Sequence, residues 1–339
     1  MAGESVISVR HLKTYFYTEK RCNKAVNDVS FEIRKGKCLC VVGESGCGKS
    51  VTASSIMQLL PRLSRIEEGE IIYHTHDKGD VVLSDLGKNS KEMRAYRGKN
   101  IAMIFQDPMT ALNPVFKVGN QIAENIRQHD KCSKAEARKR TLELLKQMGI
   151  PEPERRIDQY PHEYSGGMRQ RAMIALAMSC SPDVLLADEP TTALDVTIQA
   201  QIFELMTKLK EENDTAILLI THDMGVVCEM ADDVLVMYMG NVVESGTARE
   251  VLKNPKHPYT RALLASILVL GKGKDQNIQP IRGMTPNPYN RPPGCQFEPR
   301  CDFACEACRE RMPDEEVIEG TTHMIRCCNW REACKNDGE

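Results

Sequence analysis

At 339 residues the chain can bury a full core, and its 45 Lys+Arg against 47 Asp+Glu leave a formal charge of −2, with no basic excess to mark nucleic acid as its main partner. Its longest apolar runs, AILLI at 216–220 and ALLASILVL at 262–270, fall well short of the roughly 20 residues that cross a bilayer. The N-terminal MAGESVISVRHLKTYF lacks the charged-then-apolar layout of a secretory signal. A cytosolic chain is the expectation, and there the fourteen cysteines argue for metal or redox chemistry over disulfides.

Residues 1–100 read as strands around a glycine-rich turn. In KCLCVVGESGCGKSVTASSIMQLL a short buried strand, Cys38–Val42, precedes the turn and a helix follows it. Cys38 and Cys40 read as small core residues of that strand. The stretch Gly43, Glu44, Ser45, Gly46, Cys47, Gly48, Lys49, Ser50 and Val51 matches G-x-x-x-x-G-K-[ST], with Gly43, Gly48, Lys49 and Ser50 at the defining positions. Glycines let backbone N–H groups approach phosphate oxygens, and a helix N-terminus adds a favourable dipole. Lys49 can reach the β- and γ-phosphates, and the Ser50 hydroxyl can ligate Mg²⁺.

From Lys117 to Tyr160 helical periodicity dominates. Ser133 and Glu136 have the spacing of a capping box, and Gly149 is placed to end the helix they begin. In YSGGMRQRAMIALAM, Ser165, Gly166 and Gly167 open another helix whose N–H groups form a second anion-binding start. One nucleotide does not need two such cradles, so two copies facing head to tail would each lend this segment to the other. Next, DVLLADEP predicts an apolar strand, Val184–Ala187, ending in Asp188 and Glu189. Asp188 would hold Mg²⁺ through water, and Glu189 would polarise the water that attacks the γ-phosphate. TAILLITHD gives a further buried strand that ends near His222, placed to contact the γ-phosphate. Helix and apolar strand alternate here as in a parallel sheet with crossover helices. VLVMYMGNVVESG reads as a hairpin turning at Gly240-Asn241, and from about Gly271 a Gly, Lys, Asn and Pro-rich linker leads into seven cysteines in the last 45 residues.

The order P-loop, FQDP, YSGGMRQR, LLADEP, TALD, THD resembles that of ATP-binding-cassette ATPases. The resemblance implies an α/β P-loop fold: a RecA-like core with an antiparallel β subdomain, a helical signature subdomain over about 117–180, and an ATPase domain over 1–270. Gln106 matches the Q-loop glutamine, which touches Mg²⁺ and the water and senses the transporter's coupling helices. Ser165–Gly167 match the signature that closes over the partner's ATP, Asp195 the D-loop aspartate and His222 the switch histidine. Tyr164 and Met168 depart from the commoner LSGGQ without touching the serine or the glycines. An aromatic near LKTYFY is implied to stack on adenine, with Phe16 the best placement and Tyr15 and Tyr17 its competitors. Further on, NPKHPYTRALLASI, PIRGMTPNP and GCxFxPRCxxAxxxC resemble the C-terminal extension of oligopeptide and dipeptide importer ATPases, here 271–339.

Cys295, Cys301, Cys308 and Cys327 fall at that extension's cysteine positions, with spacings C-x₅-C-x₆-C-x₁₈-C; Cys305, Cys328 and Cys334 are additional. Four thiolates on loops suit either zinc or an iron–sulfur cluster. Structural zinc usually has two tight C-x₂₋₄-C pairs, and here the tight pairs depend on Cys305. The looser spacings leave room for a four-iron cube about 3 Å on an edge, and the resemblance also implies a [4Fe–4S] cluster. Its expected part is a staple for a tail too small to have its own core.

Taken together, the resemblance implies an ATP-hydrolysing, Mg²⁺-dependent importer subunit on the cytoplasmic face of the membrane. Its partners would be a second, related but non-identical ATPase, two membrane-spanning permeases and, indirectly, an extracytoplasmic peptide-binding protein. Dipeptides or oligopeptides are the expected cargo; nickel, an oligosaccharide or an antimicrobial peptide is the alternative. A non-transport cassette ATPase and an iron–sulfur redox-linked ATPase are the rival classes.

Overall fold

The computed structural model describes residues 4–19, 21–75, 79–107, 111–192, 194–266 and 281–335. The start of the linker expected from Gly271 lies outside them. In chain order the described strands are β1 Ser5–Tyr17, β2 Cys22–Arg34, β3 Cys38–Val42, β4 Ser64–Thr75, β5 Gly79–Val82, β6 Ile101–Ile104, β7 Val184–Asp188, β8 Ala216–Ile220, β9 Asp233–Tyr238, β10 Asn241–Thr247, β11 Glu316–Val317 and β12 Met324–Ile325. The chain forms two interleaved compact units. One gathers Met1–Ile7, Glu32–Cys38 and Tyr73–Ile220; the other gathers Ser8–Phe31, Leu39–Ile72 and Thr221–Glu339.

In the first unit β6, β7 and β8 lie side by side and parallel, with Ile101 opposite Val184 and Asp188 opposite Ile220. Every residue of β7 and β8 is buried, as continuous apolar runs require when a sheet is covered on both faces. Helices Val118–Asp130, Lys134–Gln147 and Gly166–Met178 pack on one another in the same unit. Ser133 caps the second of these by accepting from the Glu136 N–H at 3.1 Å, and Gly149 follows its end at φ +65°.

The second unit holds the glycine-rich turn and the C-terminal extension together. Here β3 runs parallel to β9, and β9 pairs antiparallel with β10. Both Cys38 and Cys40 are fully buried in β3. The hairpin turns one residue earlier than its sequence indicates: Tyr238 pairs with Asn241, leaving Met239 and Gly240 as the corner, both at positive φ. Two central residues at positive φ match the right-handed twist of the flanking strands, so the corner falls there even though one of them is methionine.

The extension docks by adding strands. β12 pairs antiparallel with β10, placing Ile325 opposite Glu244, and β11 pairs with β12. Beneath this edge Glu244, fully buried, accepts from His323 Nε2 at 2.6 Å and from the N–H groups of Lys256 and His257 at 2.7 and 2.9 Å. Tyr238, Tyr259 and Phe297 form an aromatic cluster with ring centroids 4.6–5.4 Å apart. The tail thus shares the core of the unit it joins.

His257, buried under this cluster, accepts the Tyr259 N–H at Nδ1 over 3.0 Å, and burial pulls its imidazole down to about 4. A folded value below the unfolded one means stability is complete above about pH 6.5 and is lost as pH falls toward 4, by up to about 3 kcal/mol. Thermal unfolding of the full chain across that window should show the loss. His257→Asn, whose amide oxygen can keep the cap, should flatten it.

Candidate functional site

The glycine-rich turn is held by backbone packing. Gly43 sits at φ +150°, where a Cβ would lie 2.2 Å from the Met237 carbonyl oxygen. Gly48, at φ +107°, would bring a Cβ to 2.2 Å from Ala25 O, and it opens the helix Lys49–Ile56. Lys49 is buried, and its Nζ donates to Gly43 O at 2.7 Å and Glu44 O at 3.1 Å. The ammonium therefore lies folded over its own loop, beside the N–H groups that open the helix. Thr14 on β1 shares a hydroxyl hydrogen bond of 2.9 Å with Ser55 of that helix. Strand alternation puts Phe16 on the same face as Thr14. Its neighbours are tied elsewhere: Tyr15 OH donates to Asn27 at 2.9 Å, and Tyr17 OH donates to Glu67. His222 follows Thr221 and is exposed; Asp223 caps the next helix through the Gly225 N–H at 2.8 Å.

The first unit carries the acids. Asp188 is buried at the end of β7. Glu189, next in line, has φ +46°, a conformation costly for a non-glycine residue, and its N–H donates to Ile220 O at 2.9 Å. That turn aims its carboxylate so that Oε2 accepts from Gln106 Nε2 at 3.0 Å and from Thr192 Oγ1 at 3.1 Å. Ser165 caps Gly166–Met178 by accepting from the Met168 N–H at 3.3 Å; it is exposed together with Gly166. Tyr164 is buried and donates to Arg156 O at 2.9 Å, anchoring the segment from behind. Asp195 caps the helix Val196–Asn213 through the Ile198 N–H at 3.0 Å.

In the extension, Cys301 and Cys327 lie close enough to Cys295 and Cys308 for those thiols to raise their cost of ionisation, and Cys308 does the same to Cys295. Three receive a backbone N–H two residues on: Phe297 to Cys295, Phe303 to Cys301 and Asn329 to Cys327. Burial nevertheless dominates, pushing Cys295 up to about 11 and Cys301 and Cys327 up to about 12. A second, tighter grouping shares Cys308: its Sγ lies 3.5 Å from that of Cys305 and 3.3 Å from that of Cys328, which are 3.7 Å from each other. Cys334 stands apart, against Lys256 O.

The motifs point to one family, and relatives bear this out. A family model described as ABC transporter matches residues 26–192, and one described as oligopeptide/dipeptide transporter, C-terminal region, matches 243–308. A dipeptide transport ATP-binding protein of Bacillus subtilis is 48% identical over 325 residues, spanning 96% of this chain and 94% of that protein. The chain belongs to the ABC transporter ATPases. A probable peptide ABC transporter ATP-binding protein of Sinorhizobium fredii is 49% identical across 97% of this chain and 96% of its own length. Among solved structures, a dimeric ATP-binding cassette in a post-hydrolysis state with ADP and Pi superposes with a TM-score of 0.63 at 27% identity, covering 72% of this chain and 99% of that one. The fold is therefore the P-loop α/β cassette that the motif order implies, and the chain is an ATP hydrolase of this family.

Sequence reasoning passed over the side chains that hold this ABC ATPase's extension to its phosphate loop. Arg300 carries the main contact, and its place one residue before Cys301 gives no local signal for a partner 256 positions away. Within the loop, Gly48→Ala has no space for its Cβ against Ala25 O. Binding of MgADP, followed by titration calorimetry, should be lost in that variant, with stability lower by about 1–3 kcal/mol.

Proposed function

We propose that this chain is the ATP-hydrolysing subunit of a peptide importer, peripheral to the cytoplasmic face of the membrane and paired with a second, non-identical ATPase. The observation that carries the reading is the Glu189 carboxylate, turned out at φ +46° and hydrogen-bonded to Gln106 at 3.0 Å. A carboxylate so placed, beside a glutamine that can report on the permeases, suits a general base whose alignment depends on transport. Lys49 and the loop N–H groups bind the β- and γ-phosphates, Phe16 stacks on adenine, and His222 contacts the γ-phosphate. Ser50, Gln106 and Asp188 are the residues to hold Mg²⁺, which supplies charge neutralisation on the transferring phosphoryl group. Ser165 and Gly166, exposed at a helix start, close with Gly167 over the nucleotide of the partner cassette. The dipeptide and oligopeptide transport relatives support peptides as cargo. Among the described residues no helix is long and apolar enough to cross a membrane. Two separate permease subunits are the proposed path for the cargo.

Glu189→Gln tests the assignment. Its amide still accepts from Gln106 but cannot take a proton, so the variant should bind MgATP with near-normal affinity and lose hydrolysis by about 100-fold or more. A normal turnover rate in the assembled transporter would overturn the role of Glu189.

For the cysteines we assign Cys295, Cys301, Cys308 and Cys327 to a [4Fe–4S] cluster. Cys295, Cys301 and Cys327 lie outside helices, receive N–H···S hydrogen bonds and are costly to ionise by themselves, which suits a centre that supplies positive charge; Cys308, expected on a loop, instead lies on the short helix Glu306–Glu310. The tight grouping of Cys305, Cys308 and Cys328 favours a second reading, because thiolates around one zinc ion at about 2.3 Å stand about 3.8 Å apart. Anaerobic reconstitution with iron and sulfide separates the two. Cys295→Ser/Cys327→Ser should lose bound iron and visible charge-transfer absorption while Cys305→Ser/Cys328→Ser keeps them. The opposite pattern, with about one zinc per wild-type chain, would put the metal on the tight grouping.

A further inference from the structure

Glu44 is an acidic residue inside a loop that binds anions. A carboxylate there opposes a polyphosphate by charge, yet its surroundings keep it ionised. Burial works against its charge, but Arg300 and Thr285 outweigh it and hold the carboxyl below the usual range. Arg300 comes from the extension, one residue before Cys301. It grips Glu44 with both arms, Nη1 to Oε2 at 2.7 Å and Nη2 to Oε1 at 3.0 Å, while Thr285 Oγ1 donates to Oε2 at 2.9 Å. The fork is itself fixed. Arg300 is 6% exposed, its Nε donates to Arg282 O at 2.9 Å, and its guanidinium lies 5.9 Å from the ring centres of both Tyr238 and Phe297.

Glu44 is also the pivot of the loop. Its carbonyl accepts from Lys49 Nζ at 3.1 Å, and its N–H donates to Tyr259 OH at 2.8 Å. One residue thus joins the extension, through its carboxylate, to the lysine of the phosphate loop, through its carbonyl.

We propose that Arg300 is a positioning residue of the nucleotide site: it neutralises Glu44 and fixes the phosphate loop, so that the C-terminal extension is a working part of ATP binding. The inference rests on the nucleotide reading of the loop. Two properties follow from the geometry. Without the guanidinium, an unpaired carboxylate stands next to the bound phosphates. And the harm done by losing Arg300 depends on the charge of Glu44, which would not be so if Arg300 merely filled space.

The test is MgADP affinity of the full chain by titration calorimetry, with thermal melting to confirm folding. Arg300→Met keeps the stem between the aromatic rings and removes the charge; it should weaken binding by about tenfold, the scale expected for one unscreened charge a few ångströms from the phosphates. Adding Glu44→Gln should restore affinity to within about threefold of the Glu44→Gln single variant. Arg300→Lys, which keeps the charge and loses the fork, should fall between, and it is read alone if the methionine variant does not fold. Equal affinity in Arg300→Met or Arg300→Lys and wild type, or a double variant as weak as Arg300→Met, overturns the proposal. Absence of MgADP binding by the wild type would instead overturn the nucleotide reading itself.

Discussion

A strand buried on both faces can carry no unpaired charge along its length, so chemistry is pushed to its ends. This constraint arranges both units. In one, β7 is apolar from Val184 to Ala187 and delivers Asp188 and Glu189 at its C-terminal end. In the other, β3 is wholly buried and delivers the glycine-rich loop after its own last residue. Ligands of open α/β sheets collect at strand C-termini for this reason: the chain must turn there, and the helix that follows begins with unpaired N–H groups.

The turns are where local strain is accepted. Glu189 occupies a conformation that disfavours side chains, and its position is fixed by the N–H bond to Ile220 and the side-chain bonds to Gln106 and Thr192. Gly43 and Gly48 serve the opposite purpose. They remove side chains where the loop must press against the carbonyls of Met237 and Ala25. A loop wall fixed by packing of this kind holds its backbone in one shape, and a preorganised set of N–H donors binds phosphate without reorganisation.

The extension is joined to this loop more thoroughly than a metal-stapled tail needs to be. It adds β12 to β10, buries the Glu244–His323 pair and packs Phe297 against Tyr238 and Tyr259. Arg326 reaches Asp28 at 3.3 Å, and Arg300 reaches Glu44. Ion pairs with a buried guanidinium of this sort add little net stability against apolar packing but strongly fix which groups face each other. Their effect here is to set the extension in one register against the loop.

What the sequence determined by itself was the local chemistry. The P-loop, the Asp188–Glu189 strand end, the Ser133 and Ser165 caps and the buried cysteines of β3 all rest on contiguous residues whose spacing fixes their geometry. Helix starts and buried strands are short-range phenomena, so they are legible from a dozen residues. The hairpin corner was misplaced by one position because strand twist, not the preference of Asn and Gly, selected Met239-Gly240. Only the tertiary structure decided the contacts between segments far apart in the chain. It alone brings Arg300 to Glu44 across 256 positions, sets Gln106 against Glu189, and gathers Cys305, Cys308 and Cys328 more tightly than their spacing implies. No periodicity encodes such pairs. The Arg300–Glu44 pair exists because packing the strands and the aromatic cluster leaves a buried guanidinium that must find its opposite, whereas Gln106 meets Glu189 where β6 and β7 end side by side.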